Sequence, residues 1–510
     1  MFLINGDEIP LALLRRLARS AEPVQFSEAA EDRINSARAV VDRIVASGET
    51  VYGVNTGFGR LSDVRIADSA LGQLQTNLVR SHACGFGEPL TAEEVRALIL
   101  LRANVFARGN SGIRLSTAKA LLALYQNDVL PRVPRCGSVG ASGDLAPLAH
   151  LSLVILGEGS VLDPELTSQE ALHLAKLTPV DLAAKEGLAL LNGTQAMLSV
   201  GGLALETAMR LVGLATLGSC LSLEGLLGTP TAYDARIHLS RNQSGQMRIA
   251  EAQRTWLEGS EIRESHRHHD TRVQDAYSLR CIPQVHGAAL DVLTYAKEVL
   301  ERETAASTDN PLVFAGESEM ISGGNFHGAP IAVAMDAACI GLVHMLSMVE
   351  RRMDRLINPD ANEGLPAFLA GDPGLESGHM MLHVSVAAAL NEARILAHPS
   401  SADNTPTSGG KEDHVSMGMT GANKLKRITE LVAFSVAAEW MSAVQALEFR
   451  KPLRTSLPLQ AVLSGVEEVV PVNVNDRVLG PDAESLARAL TAGMFDAHLK
   501  PFFGASSGER

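Results

Sequence analysis

Residues 139–150, Val-Gly-Ala-Ser-Gly-Asp-Leu-Ala-Pro-Leu-Ala-His, set a serine and an aspartate among small residues. A serine between glycines invites comparison with the nucleophile elbow Gly-x-Ser-x-Gly, where a strand-to-helix turn exposes the hydroxyl. Here Gly143 follows Ser142 immediately and no strand–helix alternation surrounds it, so that chemistry is excluded. Taken alone, the string is a glycine turn with Asp144 capping a helix that begins before Pro147. Three more loops share its composition, at 53–59, 322–328 and 408–410. Glycine permits positive φ and close backbone approach, and four such loops between long helices form the expected walls of one pocket. Tyr52 stands beside the first loop, where spacing alone makes it a packing residue. His379 and His383 have the spacing of two zinc ligands on a helix. With no HExxH and no third ligand, polar packing or substrate contact is expected there, and no metal. The tract Ser265-His266-Arg267-His268-His269-Asp270 is read as a solvated loop.

These loops need elements to hold them. The chain has 510 residues, 46% hydrophobic and 20% charged, a globular composition. Only 4% are aromatic, and abundant Ala and Leu favour helices over sheets. Thr91-Ala92-Glu93-Glu94 is a capping box opening a helix through Phe106. Long helical patterns follow at about 195–228, 284–306, 330–357, 378–396 and 420–449. In the last, Leu425, Ile428, Leu431, Val432, Val436, Trp440, Val444 and Leu447 recur at three- and four-residue steps, a stripe too wide for an exposed helix. The expected fold is mainly α: a large bundle of long helices with a smaller N-terminal region. An N-terminal domain over 1–193 carries the glycine turn and Tyr52, and 194–510 form the bundle with its C-terminal helical part. Short extended pieces are expected near 50–55 and 161–168.

Charge narrows the partners. Lys plus Arg total 44 against 58 acidic residues, a net −14, which argues against nucleic acid and anionic membrane surfaces. The N-terminus lacks the features of a secretory signal. The uncharged stretch Gly187–Leu205 holds Asn192, Thr194 and Gln195, so protein interior is expected rather than a membrane span. Five widely spaced cysteines without CxxC fit reduced thiols in a cytoplasmic protein.

At Ala141-Ser142-Gly143-Asp144-Leu145-Ala146-Pro147-Leu148-Ala149-His150 the chain resembles the histidine and aromatic amino-acid ammonia-lyase family. The resemblance spans about residues 50–450 and is strongest to the histidine-specific members. It implies an ammonia-lyase-like fold and a cofactor made from Ala141, Ser142 and Gly143, which cyclise into a 4-methylidene-imidazol-5-one (MIO) electrophile. Small residues suit so tight a closure. Val51-Tyr52-Gly53-Val54-Asn55-Thr56-Gly57-Phe58-Gly59 is similar to the family's base loop and implies Tyr52 as base. That role asks a phenol to ionise well below its usual pKa of about 10. Leu191-Asn192-Gly193-Thr194-Gln195 resembles the segment whose Asn contacts the cofactor carbonyl, an oxyanion-type donor. Gln274-Asp275-Ala276-Tyr277-Ser278-Leu279-Arg280 matches the substrate-carboxylate segment, which implicates Gln274 and Tyr277 and makes Arg280 a bidentate clamp. Gly323-Gly324-Asn325-Phe326-His327-Gly328 matches the loop that sets Phe326 over the cofactor, and Glu412-Asp413-His414 completes the set. Relatives are homotetramers whose sites draw on three chains.

The substrate follows from two positions. Ser81-His82-Ala83 and Glu412 match the histidine-acting members, since an imidazole and a carboxylate can hydrogen-bond both edges of a polar five-membered ring. The implied reaction is elimination of ammonia from L-histidine to a urocanate-type product. Three places depart from histidine lyases: Gly409-Gly410-Lys411 stands for Ala-Asn-Gln, Ala276 for Pro, and His379 and His383 for Phe and Gln. A 2,3-aminomutase giving β-histidine, a lyase on another aromatic amino acid and a catalytically silent scaffold therefore stay open as alternatives.

Overall fold

The computed structural model describes residues 1–20, 22–57, 65–268, 270, 272–472 and 475–503. Phe58 and Gly59 of the tyrosine loop and His269 of the His-rich tract lie outside the described residues. Helices dominate, and the named strands form three two-stranded sheets. Phe2–Ile4 pairs in parallel with Val24–Phe26, Phe86–Pro89 antiparallel with Pro134–Cys136, and Leu312–Phe314 antiparallel with Glu319–Ile321.

The long helices follow the apolar periodicity: Gln195–Gly225, Ile282–Thr304, Ala329–Ile357, Met380–Leu396 and Gly418–Glu448. The capping box is formed, Thr91 Oγ1 accepting from Glu94 N while Glu94 accepts from Thr91 N, and it opens the helix Ala92–Ala107. Neither expected extended piece is a strand. Around 51–55 the chain turns instead, because Asn55 accepts from Val51 N at 2.9 Å and donates to Glu49 O at 2.7 Å, so side-chain bonds replace a ladder. Around 161–168 only the isolated bridges Pro131↔Val161 and Ser160↔Thr167 form before Thr167 caps the helix Ser168–Leu174. The stretch Gly187–Leu205 is broken at 192–194 between the helices Glu186–Leu191 and Gln195–Gly225, and its residues are buried.

Contacts divide the chain into two compact units. The first gathers Met1–Glu206, Ala296–Asp336 and Pro399–Leu425. One part of its core joins Ala37, Val40, Val41, Ile44, Val54, Leu71, Ala184 and Val313, so buried Val54 anchors the loop that carries Tyr52. The second gathers Thr207–Tyr295, Ala337–His398 and Lys426–Arg510. Inside it, Trp440 packs edge-on to Phe495 at 5.1 Å, and the fully buried pair Arg352–Glu439 is completed by Ser222 Oγ donating to Glu439 at 2.7 Å. His379 bonds Ser442 Oγ at 2.9 Å and His383 bonds Glu350 at 2.9 Å, so the two histidines serve different polar contacts.

Candidate active site

The glycine turn is gripped from two directions. Met417 N donates to Val139 O at 2.8 Å, and Asp144 N donates to Gly193 O at 2.7 Å. Gly143 has φ +76°, and a Cβ there would lie 2.2 Å from Gly193 O and 2.5 Å from its carbonyl carbon. Both are rigid backbone atoms, so only glycine fits. Asp144 occupies the N-cap position of the helix Leu145–Ile155, but its side chain does not cap that helix, contrary to the sequence expectation. Its carboxylate accepts from Met197 N at 2.7 Å and from Ser138 Oγ at 2.7 Å. The first turn of Gln195–Gly225 offers unpaired N–H groups, and the buried carboxylate satisfies them instead. Burial pushes its pKa up to about 6.

Around this turn lies a cavity of about 920 Å³ built entirely from the first unit. Tyr52, His82, Ala141, Ser142, Asn192, Phe326 and Glu412 all line it. Three of the four glycine loops supply lining residues directly, through Ala141 and Ser142, through Ser322, Phe326 and His327, and through Ser408. Gly53 secures the loop behind Tyr52: its φ is +75° and a Cβ would sit 2.7 Å from Leu188 Cδ2.

Several side chains have defined poses. Glu412 Oε1 accepts from Ser142 Oγ at 2.7 Å and Oε2 accepts from Thr407 Oγ1 at 2.6 Å, so both oxygens are held. His82 Nδ1 lies 2.9 Å from Leu78 O. A carbonyl only accepts, so Nδ1 carries the proton and Nε2 of the neutral ring is an acceptor. Asn192 Nδ2 donates to Asn310 O at 3.1 Å, which fixes the amide while leaving its second N–H. His327 stacks on His414 with ring centroids 5.6 Å apart and 9° between planes.

Gln274, Tyr277 and Arg280 are not among the residues lining this cavity. They lie in the second unit, where Arg280 Nη1 donates to Asp275 O at 2.6 Å and its guanidinium covers the Tyr277 ring at 4.4 Å. Tyr277 is 67% exposed. The sequence reading missed Asn310, whose backbone orients Asn192 and whose Oδ1 accepts from Gly323 N at 2.8 Å, joining two walls of the cavity. An Asn before a Pro was the only signal. It also missed the buried charges behind this wall. Lys185 and Asp309 pair at 3.2 Å with both side chains fully buried, and Arg102 is 0% exposed.

The tripeptide 141–143 suits internal cyclisation. Ala141 is buried, residue 143 tolerates no Cβ, and the Ser142 hydroxyl is already engaged by a carboxylate. A phenol, an imidazole, an amide and a carboxylate share the same space, a set able to move a proton and hold a polar ring.

Comparison with known proteins gives a consistent result. A family model described as aromatic amino acid lyase matches residues 9–468. The histidine ammonia-lyase of Anaeromyxobacter dehalogenans is 47% identical over 504 residues, covering 97% of this chain and 99% of that protein. The crystal structure of histidine ammonia-lyase from Trypanosoma cruzi matches with a TM-score of 0.91 at 39% identity, over 98% of this chain and 95% of that one. The tyrosine aminomutase of Streptomyces globisporus matches with a TM-score of 0.92 at 32% identity, over 98% of each chain.

Proposed function

The chain belongs to the aromatic amino acid lyase family, and we propose that it eliminates ammonia from L-histidine to give a urocanate-type product. The observation that carries this reading is the joint placement of His82 and Glu412 on the cavity that holds Tyr52 and Ala141-Ser142-Gly143. A phenylalanine ring can donate to neither an acceptor nitrogen nor a carboxylate; an imidazole has an N–H for one of them and, when protonated, an N–H for each. The identity to histidine ammonia-lyases over nearly the whole chain supports the same substrate.

We infer that residues 141–143 close into the MIO group, which supplies an electrophile that captures the substrate and eases loss of its amine. The protein's own residues do the rest. Tyr52 takes the proton from the substrate β-carbon. Asn192, with one N–H committed to Asn310 O, directs the other at the carbonyl of the closed tripeptide. Glu412 takes the imidazole N–H, and Thr407 holds it in place for that task. The ring's other nitrogen faces His82 Nε2, to which it donates when the substrate imidazole is protonated, and Phe326 covers the reacting face.

Gln274, Tyr277 and Arg280 bind the substrate carboxylate in this account, contributed by a neighbouring copy of the chain within a homotetramer. The exposure of Tyr277 (67%) and of adjacent Val273 (97%) supports a surface awaiting a partner. A cytoplasmic setting suits the five cysteines, none of which is in a disulfide.

A second reading, a 2,3-aminomutase that returns ammonia to the β-carbon, is favoured by the likeness to tyrosine aminomutase. Incubating purified protein with L-histidine and quantifying both ammonia and organic product separates the two. Equal amounts of ammonia and urocanate are expected. β-Histidine without free ammonia means the mutase, and turnover of L-tyrosine or L-phenylalanine but not L-histidine refutes the substrate assignment.

A further inference from the structure

Arg102 lies within the helix Ala92–Ala107 with no surface exposure. Its Nη1 donates to Gln195 Oε1 at 2.7 Å, Nη2 donates to Ala189 O, and the guanidinium stands 5.0 Å from the Phe106 ring. Burial pulls its pKa down to about 10, against the attraction of Asp309, so it stays charged at neutral pH. Asp309 is shared with a second buried cation, Lys185, at 3.2 Å. Two cations and one anion are thus buried together, an arrangement whose desolvation is costly and which well-packed apolar side chains often match or exceed in stability. Stability alone is a poor reason to keep it.

The contacts of the guanidinium supply another reason. A Cβ on Gly193 would lie 2.5 Å from Arg102 Nη1, 2.2 Å from Gln195 Oε1 and 2.8 Å from Thr308 O. Gly193 therefore rests against the Arg102–Gln195 pair, and Thr308 Oγ1 locks that pair by accepting from Gln195 Nε2 at 2.7 Å. Gly193 also meets the ring-forming turn. It forms a parallel bridge with Gly143, its carbonyl accepts from Asp144 N at 2.7 Å, and it occupies the space where a Cβ on residue 143 would stand. An unbroken line of packing runs from Arg102 through Gly193 to Gly143.

We propose that Arg102 is a positioning residue for cyclisation, backing Gly193 so that Gly193 holds the Gly143 nitrogen against the Ala141 carbonyl carbon. The inference rests on the ring-forming reading above. In the step it assists, the Gly143 nitrogen bonds to the Ala141 carbonyl carbon and its proton passes to the carbonyl oxygen. That oxygen leaves as water with the Ser142 amide proton, giving a C=N bond. The Ser142 hydroxyl then leaves as a second water with the Cα proton, giving the exocyclic methylene. Two waters depart and no oxidant is needed. Such a closure is sensitive to approach distance, since a misplacement of about 1 Å can cost about 100-fold in rate. Lys185 and Asp309 act one layer further out: Asp309 Oδ1 accepts from Lys185 and from Asn310 N at 2.7 Å, fixing the segment that carries the Thr308 lock.

The test is the intact mass of freshly made protein followed over time, for wild type, Arg102→Met, Arg102→Lys and Glu186→Gln. Wild type is expected to become lighter than its encoded mass by two waters; if it never does, the ring-forming reading fails, and this inference with it. Arg102→Met is expected to keep the wild-type far-UV circular dichroism yet close about 10- to 100-fold more slowly. Closure at the wild-type rate overturns the proposal. Should Arg102→Met not fold, Arg102→Lys decides: it keeps the charge but loses the two-pronged grip, and wild-type closure in it is equally fatal. Glu186→Gln weakens another buried carboxylate, bonded to Arg114 and Thr117. It is expected to melt earlier and still close fully. If it stays open as long as the Arg102 variants, closure merely tracks stability and the proposal falls.

Discussion

Replacing Glu412 by Gln tests the substrate assignment at a single atom. The carboxylate is held through Oε2 by Thr407 Oγ1 at 2.6 Å, while Oε1 takes the Ser142 hydroxyl at 2.7 Å. In the proposed ring closure that hydroxyl leaves as water, which frees Oε1 for the imidazole. Glutamine keeps the shape and one acceptor oxygen but loses the charge. A hydrogen bond to a charged group is worth about 1.5–3 kcal/mol against about 0.5–1.5 for a neutral one. The charge-assisted part is thus about 1–2 kcal/mol, a drop of about 5- to 30-fold in kcat/KM for L-histidine. Alanine removes the whole contact and takes the loss to about 10- to 150-fold. Any residual turnover of L-phenylalanine, whose ring cannot donate to a carboxylate, is expected to hold steady or rise. The assay is the ratio of kcat/KM values for the two amino acids, with intact mass confirming that both variants have closed the tripeptide. If Glu412→Gln lowers both substrates by the same factor, Glu412 serves the shared chemistry and the imidazole argument is wrong.

Three more outcomes follow from the same geometry. Gly53→Ala forces a left-handed conformation and a contact 2.7 Å from Leu188 Cδ2; about 1–2 kcal/mol of backbone strain plus overpacking is expected to lower the melting midpoint and kcat together, and wild-type values of both would refute the role given to this glycine. Lys185→Met strips the fully buried Asp309 of the cation 3.2 Å from it, so a loss of about 3–5 kcal/mol is expected by chemical denaturation; unchanged stability would mean that Arg102, which also attracts Asp309, suffices as its counterion. Asp144 has a pKa raised to about 6 when folded, above its unfolded value, so the folded state binds the extra proton between about pH 4 and pH 6 and this group's contribution falls as pH rises through that window. The stability of wild type relative to Asp144→Asn is therefore expected to improve by up to about 3 kcal/mol on going from pH 7 to pH 4, and a pH-independent difference would contradict the burial argument.

Local signals carried the sequence reading a long way. The capping box at Thr91 and the apolar stripe from Leu425 to Leu447 located helices to within a few residues, because both depend on neighbours three or four positions apart. Three of the four glycine loops met at one cavity together with Tyr52, His82, Asn192, Phe326 and Glu412, whereas Gln274, Tyr277 and Arg280 do not line it. Contacts distant in sequence were less legible. Asp144 looks like an ordinary helix cap, yet its carboxylate serves Met197, 53 residues away. Arg102 sits in a helix whose charged residues would ordinarily face water, and its hydrogen-bond partners in the interior, Ala189 O and Gln195, stand 87 and 93 positions on. Lys185 and Asp309, 124 apart, carry no pairing signal at all. The strand expected near residues 50–55 failed for a local reason, since Asn55 closes the turn with its own side chain.

The most direct measurement is urocanate formation from L-histidine by purified wild-type protein and by Ser142→Ala, compared at equal concentration. In the proposed closure Ser142 contributes the carbon that becomes the methylene, and alanine there has no hydroxyl to lose. Wild type is expected to accumulate urocanate while Ser142→Ala, folded and carrying every other cavity residue, forms none. Undiminished turnover by Ser142→Ala would contradict the account at its base.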